Sequence, residues 1–176
     1  MFEKLFKWER MNGIIQQPNY FAGFQTWIGQ FDVKSSPVYF YVQRNADFNA
    51  TNTPITFDVE RLNVGEAMNL TSGKFTAPWD GIYSFSFTGT AWFPASSSRV
   101  SIYVAMYLNG NEIGSGVADE DNTSIQYETF SFQSALNLKA GDEIWLEITG
   151  MSTGAYLRSG KIHFSGYLLE EKIAVA

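Results

Sequence analysis

The feature that most constrains this chain is a series of short runs in which apolar and small polar residues alternate with a period of two. Ile82-Tyr83-Ser84-Phe85-Ser86-Phe87 is the cleanest. An extended backbone puts Tyr83, Phe85 and Phe87 on one side and Ser84 and Ser86 on the other, the pattern of a half-buried strand. Val100, Ile102, Val104, Met106 and Leu108 repeat the period and end at Asn109-Gly110, a pair that tolerates positive φ and so permits a tight hairpin turn. Leu136 and Leu138 run into the turn Lys139-Ala140-Gly141-Asp142, after which Ile144, Leu146 and Ile148 point one way and Trp145 the other. Ile162 to Leu169 forms a last strand. Val38 to Val42 is apolar on both faces, which suits a core strand or one whose outer face, with Tyr39 and Tyr41, meets another subunit. Ile125 and Tyr127 share one parity and Phe130 and Phe132 the other, so a bulge is expected between them. Eight or more short strands with turns between them and no helical period predict an all-β sandwich or jelly roll.

Composition narrows the class further. At 176 residues the chain is one domain, or one domain with a tail. Aromatics make up 16% and charged residues only 17%, so neither a disordered chain nor a charged helical bundle fits. The net charge of −6 leaves no basic face to displace counterions from phosphate, which excludes nucleic acid as a partner. With no cysteine there is no disulfide framework, thiolate zinc site or Cys nucleophile. The single histidine, His163, rules out any centre that needs two imidazoles; its expected place is a half-exposed strand position. Glu3, Lys4, Lys7, Glu9 and Arg10 interrupt the start, so no signal peptide is readable. Gln16, Gln17, Pro18 and Asn19 break the uncharged stretch Met11 to Phe31, so no transmembrane segment is expected. Residues 1–36 read as a short irregular or partly helical tail, with Phe2, Leu5 and Phe6 on one amphipathic turn, either an oligomerisation segment or an annotation artefact. Residues 37–172 hold the strands.

Little of the sequence suits catalysis. Gly114-Ser115-Gly116 lacks the spacing of a nucleophile elbow, and no glycine-rich strand-to-helix loop is present to cradle phosphate. A glycosidase carboxylate pair would need two acids to converge in a cleft, which sequence alone does not establish. Asp119-Glu120-Asp121-Asn122 is the densest acidic run and is expected in a loop; its oxygens suit calcium, although the EF-hand spacing and glycine are missing. A solvated acidic loop is the plainer reading, so no cofactor is required and Asp119, Glu120 and Asp121 are retained as weak calcium candidates. Three N-glycosylation sequons, at Asn49, Asn69 and Asn122, are too small an excess over chance to decide the compartment. Ser96-Ser97-Ser98 is expected in an exposed loop, where specificity can vary without disturbing the sheets.

One combination of residues goes beyond pattern. Phe57, Asn63, Phe75 and then Gly81-Ile82-Tyr83-Ser84-Phe85-Ser86-Phe87 resemble the signature of the C1q domain, the globular head of the first complement component, which shares a jelly roll of about ten antiparallel strands with the tumour-necrosis-factor ligands. Leu70 to Pro78, Tyr107 to Gly110, Leu136 to Leu146 and Phe164 to Leu169, with Gly166, extend the likeness over about residues 38 to 170. Met68 stands where the family pattern has an aromatic or Leu, and a repacked site is expected there. No Gly-X-Y run occurs, so the likeness is to a head without a collagen stalk, and complement activation through a stalk-bound protease does not follow from it. The resemblance implies a secreted homotrimer, with Tyr39 and Tyr41 at its interface, acting without catalysis as a pattern-recognition module of innate immunity. Its targets would be microbial or host surface carbohydrate, lipid headgroup or protein. Two alternatives stay open: a trimeric signalling ligand like the tumour-necrosis-factor group, and an extracellular structural or matrix trimer. Read without the family, Gly81 is expected to supply turn geometry ahead of Tyr83, and Gly166 to mark a bulge or close backbone approach near a subunit axis.

Overall fold

The computed structural model describes residues 37–121 and 123–172, together with the backbone of residues 9–11 and 14–16. The chain divides into two compact units, Met1–Ser35 and Ser36–Ala176. In the first, β1 (Glu9–Met11) and β2 (Ile14–Gln16) pair antiparallel with Met11 opposite Ile14. These two three-residue strands are the described part of the stretch expected to be an irregular or partly helical tail. The expected turn at Phe2, Leu5 and Phe6 lies outside the described residues.

The second unit contains ten strands in two five-stranded sheets, with every strand pair antiparallel. They are β3 (Tyr39–Arg44), β4 (Val59–Val64), β5 (Met68–Asn69), β6 (Lys74–Thr76), β7 (Gly81–Phe93), β8 (Val100–Leu108), β9 (Asn111–Glu120), β10 (Gln126–Leu138), β11 (Glu143–Met151) and β12 (Tyr156–Glu171). The first sheet runs β10-β7-β12-β3-β4 and the second β5-β6-β11-β8-β9. No helix occurs among the described residues, so none there is long and apolar enough to cross a membrane.

Alternation decides which face is buried. Along β7 the inward residues Tyr83, Phe85, Phe87, Ala91 and Phe93 are almost fully buried while Ser84, Ser86 and Thr88 between them are half-exposed. An aromatic cluster fills the space between the sheets. Phe75 packs on Phe40 at 5.4 Å and edge-on to Phe85 at 5.2 Å, and Phe40 meets Phe164 edge-on at 5.0 Å. Offset and edge contacts of this kind add about 0.5–1.5 kcal/mol each beyond area burial. The buried Tyr83 keeps its hydroxyl satisfied by donating to the Trp79 carbonyl at 2.8 Å. Apart from Tyr83, no side chain with a hydroxyl, amide or charge is fully buried among the described residues.

Turns set the two ends of the sandwich. Asn109 (φ 50°) and Gly110 (φ 88°) both adopt the left-handed conformation, joining β8 to β9 in the hairpin that their sequence predicts. Asp142 organises the turn beside it, accepting from the Lys139 backbone N–H at 2.7 Å and the Asn109 amide at 2.8 Å, and these donors hold its carboxyl below the usual range. The other end carries residues 94–99, 121, 123–125 and 152–155, following from the pairings of Gln126 with Phe93 and of Val100 with Glu120. Ser96, Ser97 and Ser98 lie in the first of these loops.

The expected bulge before Phe130 is absent: β10 pairs with β7 in unbroken register from Gln126 to Leu138. Phe130 and Phe132 pack inward on Phe87, whereas Tyr127 turns outward beneath the Arg158 guanidinium, 4.8 Å from its ring. An outward aromatic with its own partners needs no change of parity.

Candidate functional site

Three adjacent strands of the first sheet present an outer face without a formal charge at its centre. The register aligns Tyr39, Tyr167 and Ser84 in one row, Tyr41, Ser165 and Ser86 in the next, and Gln43, His163 and Thr88 in the third. Their inward neighbours Phe40, Val42, Phe164 and Phe85 are core residues, so the outward parity is fixed by packing. A solvated sheet face ordinarily carries charged residues, whereas the centres of protein interfaces are depleted in them and enriched in Tyr. Tyr39 is 38% exposed, Tyr167 48% and Leu169 44%, enough apolar surface to be worth covering.

His163 anchors the third row. Arg61 Nε donates to Gln43 Oε1 at 3.0 Å, which fixes the amide so that Nε2 faces the histidine and donates to Nδ1 at 3.0 Å and to the Tyr41 hydroxyl at 2.7 Å. The Tyr41 hydroxyl lies 2.8 Å from the same Nδ1, and the two rings stack at 5.9 Å. An Nδ1 that accepts from an amide belongs to the neutral ring. Partial burial, and then the nearby Lys161 charge, push the His163 pKa below its ordinary 6.5.

The signature residues sit behind this face. Phe57 and Phe75 are buried, and Phe57 stacks on Phe164 at 6.0 Å. Asn63 donates to the Met68 carbonyl at 2.9 Å and accepts from its N–H at 3.2 Å, closing the turn between β4 and β5, while Met68 itself is buried in the core. Gly81 does not supply turn geometry: its φ is not positive, and a Cβ there would lie 2.4 Å from the Glu170 carbonyl oxygen, so the position requires space. Gly166 likewise allows close approach, and toward the core: a Cβ would lie 2.6 Å from Phe85 and 2.7 Å from Phe40.

The acidic candidates do not gather. Asp119 and Glu120 end strand β9 and do not occupy a loop; Asp121 follows. Asp119 is engaged by Arg99, and Glu120 hydrogen-bonds Glu128, holding the Glu128 carboxyl above its usual range. Among the described residues no three acids or histidines converge as a metal site.

Sequence reasoning missed the outer face of the second sheet. There Tyr107 stacks on Trp145 at 5.7 Å, and Lys74 Nζ lies 4.3 Å over the Trp145 ring and 2.8 Å from Glu143. Trp145 Nε1 donates to Glu147 at 2.7 Å. Glu112 pairs with Tyr107 across β8 and β9, and partial burial together with the Glu147 and Glu112 charges raises the Tyr107 pKa. The outward parity of Trp145 was the available signal; its ring partners Tyr107 and Lys74 come from two other strands.

A two-sheet antiparallel jelly roll with this aromatic core defines a class, and comparison with known proteins places the chain within it. The C1q domain family model matches residues 39–169, and the chain belongs to that family. It is 31% identical over 125 residues to mouse complement C1q tumor necrosis factor-related protein 3, covering 70% of this chain and 48% of that protein. It is also 31% identical over 137 residues to zebrafish Caprin-2, covering 75% of this chain and 14% of that protein. The chain thus spans half or less of the length of these relatives. The globular domain of zebrafish complement 1qA protein shares the fold, with a TM-score of 0.57 at 20% identity over 77% of this chain and 99% of that one.

Proposed function

We propose that this chain is a secreted homotrimer that acts without catalysis as a multivalent recognition module for surface carbohydrate, lipid headgroup or protein. The observation that carries the reading is the outer face of β7, β12 and β3, uncharged at its centre with Lys161 and Arg61 at its border, whose three Tyr residues and flanking Leu169 need covering. Self-association of three copies through this face buries those rings and leaves the loops at residues 94–99, 123–125 and 152–155 free at one end. Three weak sites on one rigid body then gain avidity on a repetitive surface, on the order of 10²–10⁴ over a single site. Family membership supports the assembly and the secreted location.

The test introduces charge where the face should be dry. Ser86→Lys with Ser165→Lys places two cations in the middle row. The proposal expects this variant to be monomeric with an unchanged fold, and to bind bacterial cells, glycan-coated beads or phosphatidylserine vesicles at least about tenfold more weakly than the parent. A variant that still assembles, or a monomer that binds as well as the parent, overturns it.

A further inference from the structure

We propose that the outer face of the second sheet, centred on Tyr107 between Glu112 and Glu147, docks an arginine-bearing segment of a protein partner. This surface lies on the opposite side of the sandwich from the face assigned to self-association, so it stays free whether or not the chain trimerises. Its centre is aromatic: Tyr107 stacks on Trp145, and roughly 13 Å further along β8, at about 3.3 Å per residue, Tyr103 and its cross-strand partner Val117 are 46% and 45% exposed. Its border is acidic.

Charge bookkeeping identifies the occupant. Among the described residues Lys74 engages Glu143 and Arg99 engages Asp119, while Glu112 and Glu147 have no cationic partner. Lys74 over the Trp145 ring shows the kind of contact this stack makes with a cation. Glu112 on β9 stands opposite Tyr107 and Glu147 on β11 opposite Ala105, two residues away along β8, so their backbones lie roughly 12 Å apart at about 4.8 Å per strand step and about 3.3 Å per residue. Two carboxylates supply too few oxygens for a compact cation such as calcium, which takes about six to eight, and among the described residues no three acids or histidines converge. The flanking carboxylates suit a planar guanidinium over the Tyr107 ring with its donors directed at them, while Tyr103 and Val117 offer apolar surface further along the strand to a neighbouring residue of the same segment. A phosphate-bearing partner is repelled by the same carboxylates.

The test measures fluorescence anisotropy of a labelled (Ser-Arg)₃ peptide, with (Ser-Glu)₃ as control, against the full chain. The proposal expects saturable binding of the arginine peptide only. It also expects about tenfold weaker binding by the isosteric Glu112→Gln/Glu147→Gln variant, and a loss of several-fold in Tyr107→Ala that Tyr107→Phe restores. A charge-matched control, Glu60→Gln/Glu66→Gln on and after β4, should change binding less than about twofold. Absence of binding, or equal losses in the two charge-matched variants, overturns the proposal. Light scattering on the same samples reports assembly separately, so failure here leaves the trimer reading untouched.

Discussion

Gly166→Ala is the sharpest test of how the core dictates the sequence. The added methyl would lie 2.6 and 2.9 Å from two carbons of Phe85 and 2.7 Å from one of Phe40, whereas ordinary contact begins at 3.4 Å. Neither ring has room to retreat. Phe40 is held by Phe75 at 5.4 Å and Phe164 at 5.0 Å, and Phe85 by Phe75 at 5.2 Å. Overpacking of this kind costs roughly 2–3 kcal/mol. For a domain of this size about 3–5 °C accompanies each kcal/mol, so Tm should fall by about 6–15 °C. The backbone argues the opposite way: without a positive φ, replacing Gly by Ala in a strand gains up to about 1 kcal/mol by restricting the unfolded chain. Gly114→Ala in β9 isolates that gain, because its Cβ meets nothing within 4 Å and its φ is also ordinary. Scanning calorimetry should show Gly114→Ala at or above the parent Tm and Gly166→Ala well below it. A Gly166→Ala protein as stable as the parent would refute the claim that steric exclusion fixes this glycine.

Asn63→Ala should cost about 1–3 kcal/mol in urea unfolding with the m-value unchanged, since it strips both Met68 backbone groups of their partner; a shift under 0.5 kcal/mol would contradict the role given to the side chain. Acidification offers a separate check. The folded state holds His163 below its ordinary 6.5, so the unfolded chain binds the extra proton first; the stability is fully present above about pH 6.5 and falls as pH drops toward the folded-state value. His163→Gln should flatten the Tm profile between pH 7 and 5 relative to the parent, and parallel profiles would count against the neutral, amide-bonded ring. Tyr167→Lys, outward on β12 and 48% exposed, should weaken self-association while leaving the monomer's Tm within about 2 °C; a large loss of Tm would place that ring in the core instead.

Strand alternation made most of the sandwich readable. Tyr83, Phe85 and Phe87 point inward as their spacing requires, and the Asn109-Gly110 turn forms where its residues allow it. Contacts between distant segments were not readable. The run from Ile125 to Phe132 seemed to need a bulge because both ends are apolar, yet Tyr127 finds Arg158 on the outer face. Gly81 looked like a turn residue from its neighbours, but the constraint is the Glu170 carbonyl, 89 positions along the chain and adjacent only through strand pairing. Tyr39 and Tyr41 fall on the outer face in the parity expected of them, while the absence of charge around them emerges only when β12 and β7 are laid alongside. The Tyr107, Trp145 and Lys74 stack draws on three strands and left only one trace in the sequence, the outward parity of Trp145.

The central claim is that assembly resides in the jelly roll and uses its uncharged face. Light scattering on the full chain and on residues 37–176, with and without calcium, tests it most directly. The account predicts about 59 kDa for the full chain, three times 19.8 kDa, and three times its own mass for the shorter one. Monomer masses from the shorter chain would move assembly to residues 1–36 and contradict the role given to Tyr39, Tyr41 and Tyr167.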